Sequence, residues 1–289
     1  LTGAAMHNNK LTIIEFANQK LDYSGMDNIK ECLDKKLFCQ WPHPVNYNYN
    51  SRGFRDLEWP QDLNSAVWCF GDSFTVGLGS CFEHTWPQVL SQHSQQRVIN
   101  VSMDGASNEW IARHVCDAYD LTQPRNIVIM WSYLHRRENA NWDRSDPDRR
   151  LHYVRSTMLQ DFENINSCRK QVRQHCVRSN IIELVIPHFV VSLDDAAWKR
   201  IREPSWPQLL PATLEEFQDL CPDTIGKMHT LHGIDTDHLL EYHTMQQQHC
   251  DSLADVVRVE YLDRARDGHH FDIVTAEWVA KQVQNLLNL

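Results

Sequence analysis

The stretch Ala66-Val67-Trp68-Cys69-Phe70-Gly71-Asp72-Ser73-Phe74-Thr75-Val76-Gly77-Leu78-Gly79 decides the fold. The apolar run 66–70 reads as a strand buried on both faces, and Gly71 allows a sharp turn where it ends. Working outward, the same pattern repeats. Apolar runs at 98–101, 127–131, 181–186 and 256–259 read as further buried strands. Helix-like segments near 85–93, 107–120, 155–178 and 273–288 separate or follow them. Such alternation implies an α/β protein whose mostly parallel sheet is covered by helices on both faces.

With right-handed crossovers, the expected architecture is a flavodoxin-like, doubly wound sheet of about five strands in three α/β/α layers. The domain built on it spans 64–289. The interval between the fourth and fifth runs is far longer than one crossover helix requires, so 187–250 reads as a lid-like insertion or as added helices covering the sheet. Residues 1–63 form an N-terminal extension. Within it, 11–38 carries helix-compatible apolar spacing (Ile14, Leu21, Ile29, Leu33, Leu37), and 41–60, rich in Asn, Tyr, Pro and Trp, looks irregular. Leu1 to Ala5, ahead of Met6, read as an expression scar.

Composition narrows the function classes. With 42% apolar and 23% charged residues, the chain of 289 residues is globular and can bury a large core. A net charge of −10 argues against nucleic acid as partner, since phosphate binding needs a basic footprint. The local arginines 136, 137, 144, 149 and 150 read as a solvated, salt-bridging segment. Nine cysteines without C-x-x-C spacing suggest free thiols in a reducing compartment. No run approaches the roughly 18 apolar residues of a membrane span. The N-terminus lacks the basic and apolar regions of a signal peptide, so a cytoplasmic location is expected.

Ligands of doubly wound sheets bind just beyond the carboxyl ends of strands, where Gly71-Asp72-Ser73 falls. Ser73 stands at a strand-to-helix turn, where free N–H groups favour developing negative charge; a plain helix N-cap reads the same way. A nucleophilic serine needs a base, and the base needs an orienting carboxylate. Asp267-Gly268-His269-His270-Phe271-Asp272 lies between the last strand-like run and the last helix. Asp and His three apart on one loop can pair, leaving Nε2 of His270 for Ser73. Asp235 and His238 repeat the spacing, but inside the insertion and after no strand.

The joint placement of these two blocks resembles the SGNH (GDSL-type) hydrolase superfamily, over about residues 64–289. That family opens its first strand-to-helix turn with G-D-S, here Gly71, Asp72 and Ser73, and closes with D-x-x-H before its final helix, here Asp267 and His270. Its second block, a glycine after the second strand, is matched by Gly105 in the run from Asn100 to Asn108. The resemblance implies a catalytic triad of Ser73, His270 and Asp267, with the Ser73 and Gly105 N–H groups as oxyanion donors. The third block departs. Where the family has G-x-N-D, this chain has Trp131-Ser132-Tyr133-Leu134-His135-Arg136-Arg137-Glu138-Asn139. Tyr133 is the nearest candidate for the missing asparagine donor by spacing, and Asn139 the next. The run Asn50-Ser51-Arg52-Gly53-Phe54-Arg55 resembles lead-ins of outlying members and is assigned no chemistry.

The implied function is a serine esterase or acylhydrolase acting on a small-molecule or carbohydrate O-acyl ester, possible acetyl esters included. The same acyl-enzyme could pass its acyl group to a sugar hydroxyl, making an O-acyltransferase. The missing asparagine keeps open a catalytically impaired binding protein on the same fold. No cofactor is expected, because neither a G-x-G-x-x-G run nor a phosphate loop is present. His229, His232, Asp235, Asp237 and His238 could converge on a metal, but among 16 histidines chance explains the cluster better, and no metal is expected. Trp86, Trp110, Trp142, Trp198 and Trp206 read as core or interface. Trp131 alone, at a strand end beside the site, reads as a possible substrate contact. Oligomeric state is not legible.

Overall fold

Four consecutive crossing strands make the central sheet, and each forms where an apolar run predicted one. They are β3 (Val67–Gly71), β4 (Val98–Ser102), β5 (Asn126–Trp131) and β6 (Asn180–Val185). All pairings are parallel and the order is β4-β3-β5-β6. Because β3 has neighbours on both sides, the chain winds away in opposite directions from it. The carboxyl end of β3 is therefore a topological switch point, the place where such sheets leave a crevice. This computed structural model describes residues 11–28, 41, 43–132, 136–138, 158–186, 189–191, 258–260, 263 and 265–289.

The strict alternation of a pleated strand sorts the core into two faces. Val67, Cys69, Val98, Val128 and Met130 point to one side, where they meet α2 (Trp86–Ser94) and α5 (Ile273–Leu287). Trp68, Phe70, Ile99, Val101, Ile127 and Ile129 point to the other, against α3 (Asn108–Thr122) and α4 (Met158–His175). The result is the expected three-layer α/β/α sandwich. Two-sided burial explains why these strands are continuous hydrophobic runs. Cys69, fully buried in the sheet, behaves there as a small hydrophobe.

Helix ends follow local chemistry. Ser107 caps α3 by accepting the Trp110 N–H at 3.2 Å, and Gln123, at φ 48°, ends it just before Pro124. Asp272, the residue before α5, makes no side-chain cap; Asp263 takes that part from outside the helix. Its carboxylate accepts from Val274 N at 2.7 Å, Thr275 N at 3.0 Å and Thr275 Oγ1 at 2.7 Å.

Two expectations change. Among the described residues the last apolar run does not extend the parallel sheet. Its part within the described residues, β8 (Arg258–Glu260), pairs antiparallel with β7 (Phe189–Val191), so the parallel sheet has four strands among the described residues. An apolar run specifies a buried strand but not its partner. The described part of the expected helix over 11–38 is instead a 3-10 turn at Ile14–Phe16 followed by β1 (Lys20–Leu21), antiparallel to β2 (Tyr47–Asn48). Positive φ at Asn18 (58°) and Gly25 (55°) interrupts any helix there, and Ile14 stays exposed. The 187–250 insertion falls outside the described residues except for 189–191. Among the described residues no helix is long and apolar enough to cross a membrane.

Candidate active site

At the carboxyl end of β3 the chain turns into a single helical turn, α1 (Ser73–Val76). Asp72 N-caps it, its Oδ1 accepting the Phe74 N–H at 3.1 Å, and Gly77 ends it at φ +74°. Ser73 is thereby fixed as the first helical residue, whose own N–H has no acceptor within the helix. Its side chain meets His270. The Nε2···Oγ distance is 2.8 Å, bridging 197 residues of sequence. On the other ring nitrogen, His270 Nδ1 lies 2.5 Å from Asp267 Oδ2. The second Asp267 oxygen accepts the backbone amides of His269 at 2.9 Å and His270 at 3.0 Å. The carboxylate is thus locked by its own loop and oriented toward the imidazole.

Burial sets the electrostatics. The His270 and Asp267 side chains are 3% and 0% exposed. Burial opposes charging of His270, but the Asp267 charge and hydrogen bond outweigh it, and the imidazole pKa lies above its ordinary value. Burial likewise opposes ionisation of Asp267, yet His270 and the two amides hold its carboxyl well below the usual range. Phe74 packs its ring 4.5 Å from that of His270. The imidazole is therefore confined between an aromatic face, a carboxylate and a hydroxyl.

Gly105 sits in a turn closed by Ala106 N donating to Met103 O at 3.1 Å. That turn is tied to the end of β3 by Met103 N donating to Gly71 O at 3.3 Å. The φ of +72° at Gly105 suits glycine, and a Cβ there would meet nothing within 4 Å among the described residues. Tyr133 and Asn139, the candidates for a third donor, lie outside the described residues. Ser132 and Arg136, from the same run, do reach the turn that carries Ser73. Asp72 Oδ2 accepts from Ser132 Oγ at 2.6 Å and from Arg136 Nη1 at 2.8 Å. Asn108 holds Ser132 by its main chain, accepting from Ser132 N at 2.8 Å and donating to Ser132 O at 3.3 Å.

Trp131 is not a substrate contact. It is 1% exposed, and its indole N–H donates to Glu183 at 3.0 Å within the core facing α3 and α4. The alternation that buries Ile129 on that face also buries Trp131. Trp86 and Trp110 are buried as expected, whereas Trp142, Trp198 and Trp206 lie outside the described residues. So do arginines 144, 149 and 150, the decoy pair Asp235 and His238, and the cluster of His229, His232 and Asp237.

Sequence reading missed the supports. Asp72 looked like a motif letter and is a buried carboxylate at the junction of α1 and the run after β5. Arg55 is fully enclosed, stacked 4.3 Å over the Tyr47 ring. It donates to the carbonyls of Val76 at 3.1 Å, Gly77 at 2.5 Å, Ser80 at 2.8 Å and Asn46 at 2.9 Å. It thereby caps the carboxyl end of α1 with a cation, where a helix end carries negative partial charge. The available signal was an arginine in an otherwise irregular segment, which sequence cannot distinguish from a solvated one.

The fold and site together define a class: a parallel α/β sheet carrying serine, histidine and aspartate in hydrogen-bonded series at its switch point. No protein-family profile matches the chain, and no curated protein does. Among solved structures it is similar to a member of the lipolytic G-D-S-L family from Veillonella parvula, at 10% identity over 77% of this chain and 98% of that one, with a TM-score of 0.37. It is also similar to LAE5, an alpha/beta hydrolase enzyme from the Lake Arreo metagenome, at 14% identity, 78% and 95% coverage and a TM-score of 0.39. A carbohydrate esterase family 2 enzyme of Corynascus thermopiles gives 12%, 81%, 69% and 0.37 in the same order. With scores below 0.5, the reading of the site stands on its own geometry.

Proposed function

We propose that the chain is a serine ester hydrolase of the SGNH (GDSL-type) superfamily, with Ser73 as nucleophile, His270 as base and Asp267 as its orienting carboxylate. The observation that carries this reading is the unbroken series Asp267–His270–Ser73, with 2.5 and 2.8 Å links, buried at the carboxyl end of the central strand. A structural hydrogen-bond cluster has no need of the strand-end position, of Gly105 beside it, or of the sequence blocks that frame them.

In this mechanism His270 Nε2 takes the Ser73 proton as Oγ attacks the ester carbonyl, and the carbonyl π electrons move onto oxygen. The Ser73 and Gly105 N–H groups stabilise that oxyanion, the first because the start of α1 leaves it without an intrahelical partner. Asp267 balances the imidazolium. Collapse expels the alkoxide, which takes the proton from His270, and leaves an acyl-enzyme. Water, deprotonated by the same imidazole, releases the carboxylic acid and restores Ser73. Substrates are O-acyl esters of small molecules or carbohydrates. Tyr133 remains the candidate for the third oxyanion donor.

Reaction with a fluorophosphonate tests the reading. One label per chain is expected, lost on Ser73→Ala; a label that survives the substitution would place the nucleophile elsewhere.

A further inference from the structure

Asp27 and Arg266, 239 residues apart, form a two-pronged ion pair: Nε to Oδ1 at 2.9 Å and Nη2 to Oδ2 at 2.5 Å. Their side chains are 0% and 11% exposed, so the pair is largely shielded from water. Tyr47 donates its hydroxyl to Asp27 Oδ2 at 2.5 Å and accepts the Gly79 N–H at 2.8 Å. The Gly79 carbonyl in turn accepts the Arg266 N–H at 3.1 Å. The ring of contacts is closed, and it joins two places that matter. Gly79 lies on the segment leaving the Ser73 helix, and Arg266 immediately precedes Asp267.

The fit between those two segments is tight. At Gly79, whose φ is +76°, a Cβ would lie 2.8 Å from Ala265 Cβ and 3.1 Å from Asp267 Cγ. The Asp267 loop is itself closed by Ala265 N donating to His270 O at 2.8 Å and Gly268 N to Ala265 O at 2.9 Å. It can therefore move as a unit, and its attachment to the nucleophile segment fixes where that unit sits. Asp27 and Tyr47 come from the N-terminal segment, to which the sequence assigned no chemistry.

We propose that Asp27, Arg266 and Tyr47 are positioning residues: they set the Asp267–His270 loop against Ser73, and so determine how firmly Asp267 holds the imidazole. The inference rests on the serine-hydrolase reading above. A contact that merely stabilised the fold would lower the folded fraction. One that sets this distance changes the imidazole itself, because the Asp267 charge is what keeps its pKa above the ordinary value against burial. Among the described residues the other charges facing His270 are Asp72 and Asp104, with the His269 ring edge-on at 4.8 Å, and the substitutions below touch none of them.

The test measures the second-order rate of fluorophosphonate labelling of the full chain against pH, with Ser73→Ala as the blank. Asp27→Asn should lower the plateau about tenfold or more and move the acid limb to lower pH by about half a unit or more, since a less supported imidazole loses its proton more easily. Arg266→Lys should retain more of the plateau than Arg266→Gln. Tyr47→Phe keeps both charges and the ring beneath Arg55, and it should shift the same limb less; it carries the test should Asp27→Asn fail to fold. Folded variants with the wild-type plateau and limb would overturn this inference alone. Absence of label on the unsubstituted chain would overturn the serine-hydrolase reading and this inference with it.

Discussion

His270 Nε2 stands 2.8 Å from Ser73 Oγ, while the adjacent His269 gives its backbone N–H to Asp267. Two neighbouring histidines therefore carry unequal parts, and substitution should separate them. His270→Ala is expected to lower kcat by about 10³-fold or more, and His269→Ala by less than tenfold. Equal losses in an ester-hydrolysis assay would remove the assignment of the base.

The pH dependence has a definite sign. Only neutral His270 can accept the serine proton, and its pKa is raised. Activity should be low below that pKa and rise through it, with the acid limb above the ordinary histidine value of about 6.5. Asp267→Asn should move the limb downward and cost roughly 10³–10⁴ in kcat, by leaving the imidazole without its orienting charge. A limb that stays in place in that variant would show that Asp267 does not set the base.

Gly79 and Gly105 share a backbone conformation but not an environment, with φ of +76° and +72°. Alanine at either costs about 1–2 kcal/mol for the left-handed backbone. At Gly105 the added methyl meets nothing within 4 Å among the described residues, and the N–H is retained. At Gly79 it strikes Ala265 and Asp267. Gly79→Ala should therefore reduce both melting temperature and kcat more than Gly105→Ala, and the reverse order would contradict the packing described above.

Glu183 binds the far side of the sheet to α4, its carboxylate meeting Arg169 at 2.8 Å, Arg173 and the Trp131 indole. Burial would raise its pKa, but the two arginines outweigh that and hold it below the ordinary value. A depressed carboxylate pKa contributes stability above the unfolded value of about 4.3, lost as pH falls through the folded one. Glu183→Gln should cost about 1–3 kcal/mol near neutrality, discounted because Arg173 is 56% exposed, and the difference should shrink in acid. A difference independent of pH in chemical denaturation would contradict the ionic account.

Tyr133→Phe tests the third oxyanion donor. Loss of one such donor typically costs about 10²–10³ in turnover with little change in KM, because the bond strengthens in the transition state. Unchanged turnover would remove Tyr133 from the site and leave Asn139 or Arg136, from the same run, to be tested next.

The sequence by itself determined the four parallel strands and the helices between them, because each was written as an apolar run or a periodic face within a few residues of chain. It also marked Ser73, Asp267 and His270 as candidates, because a strand-end turn and a three-residue Asp–His spacing are local patterns; Gly105 entered only through the family resemblance. What tertiary structure decided are the relationships that no local pattern encodes. The described part of the last apolar run found β7 rather than the parallel sheet, since pairing depends on which edge lies near. Trp131 turned into the core, since the pleat assigns its face. Arg55, Asp27 and Arg266 read as ordinary polar residues until folding removed their water and left them, tens to hundreds of residues apart, as one another's or the backbone's hydrogen-bonding partners, while Asp72, read only as part of a motif, met the side chains of Ser132 and Arg136. A buried charge must find such a partner, and only the assembled fold says which one.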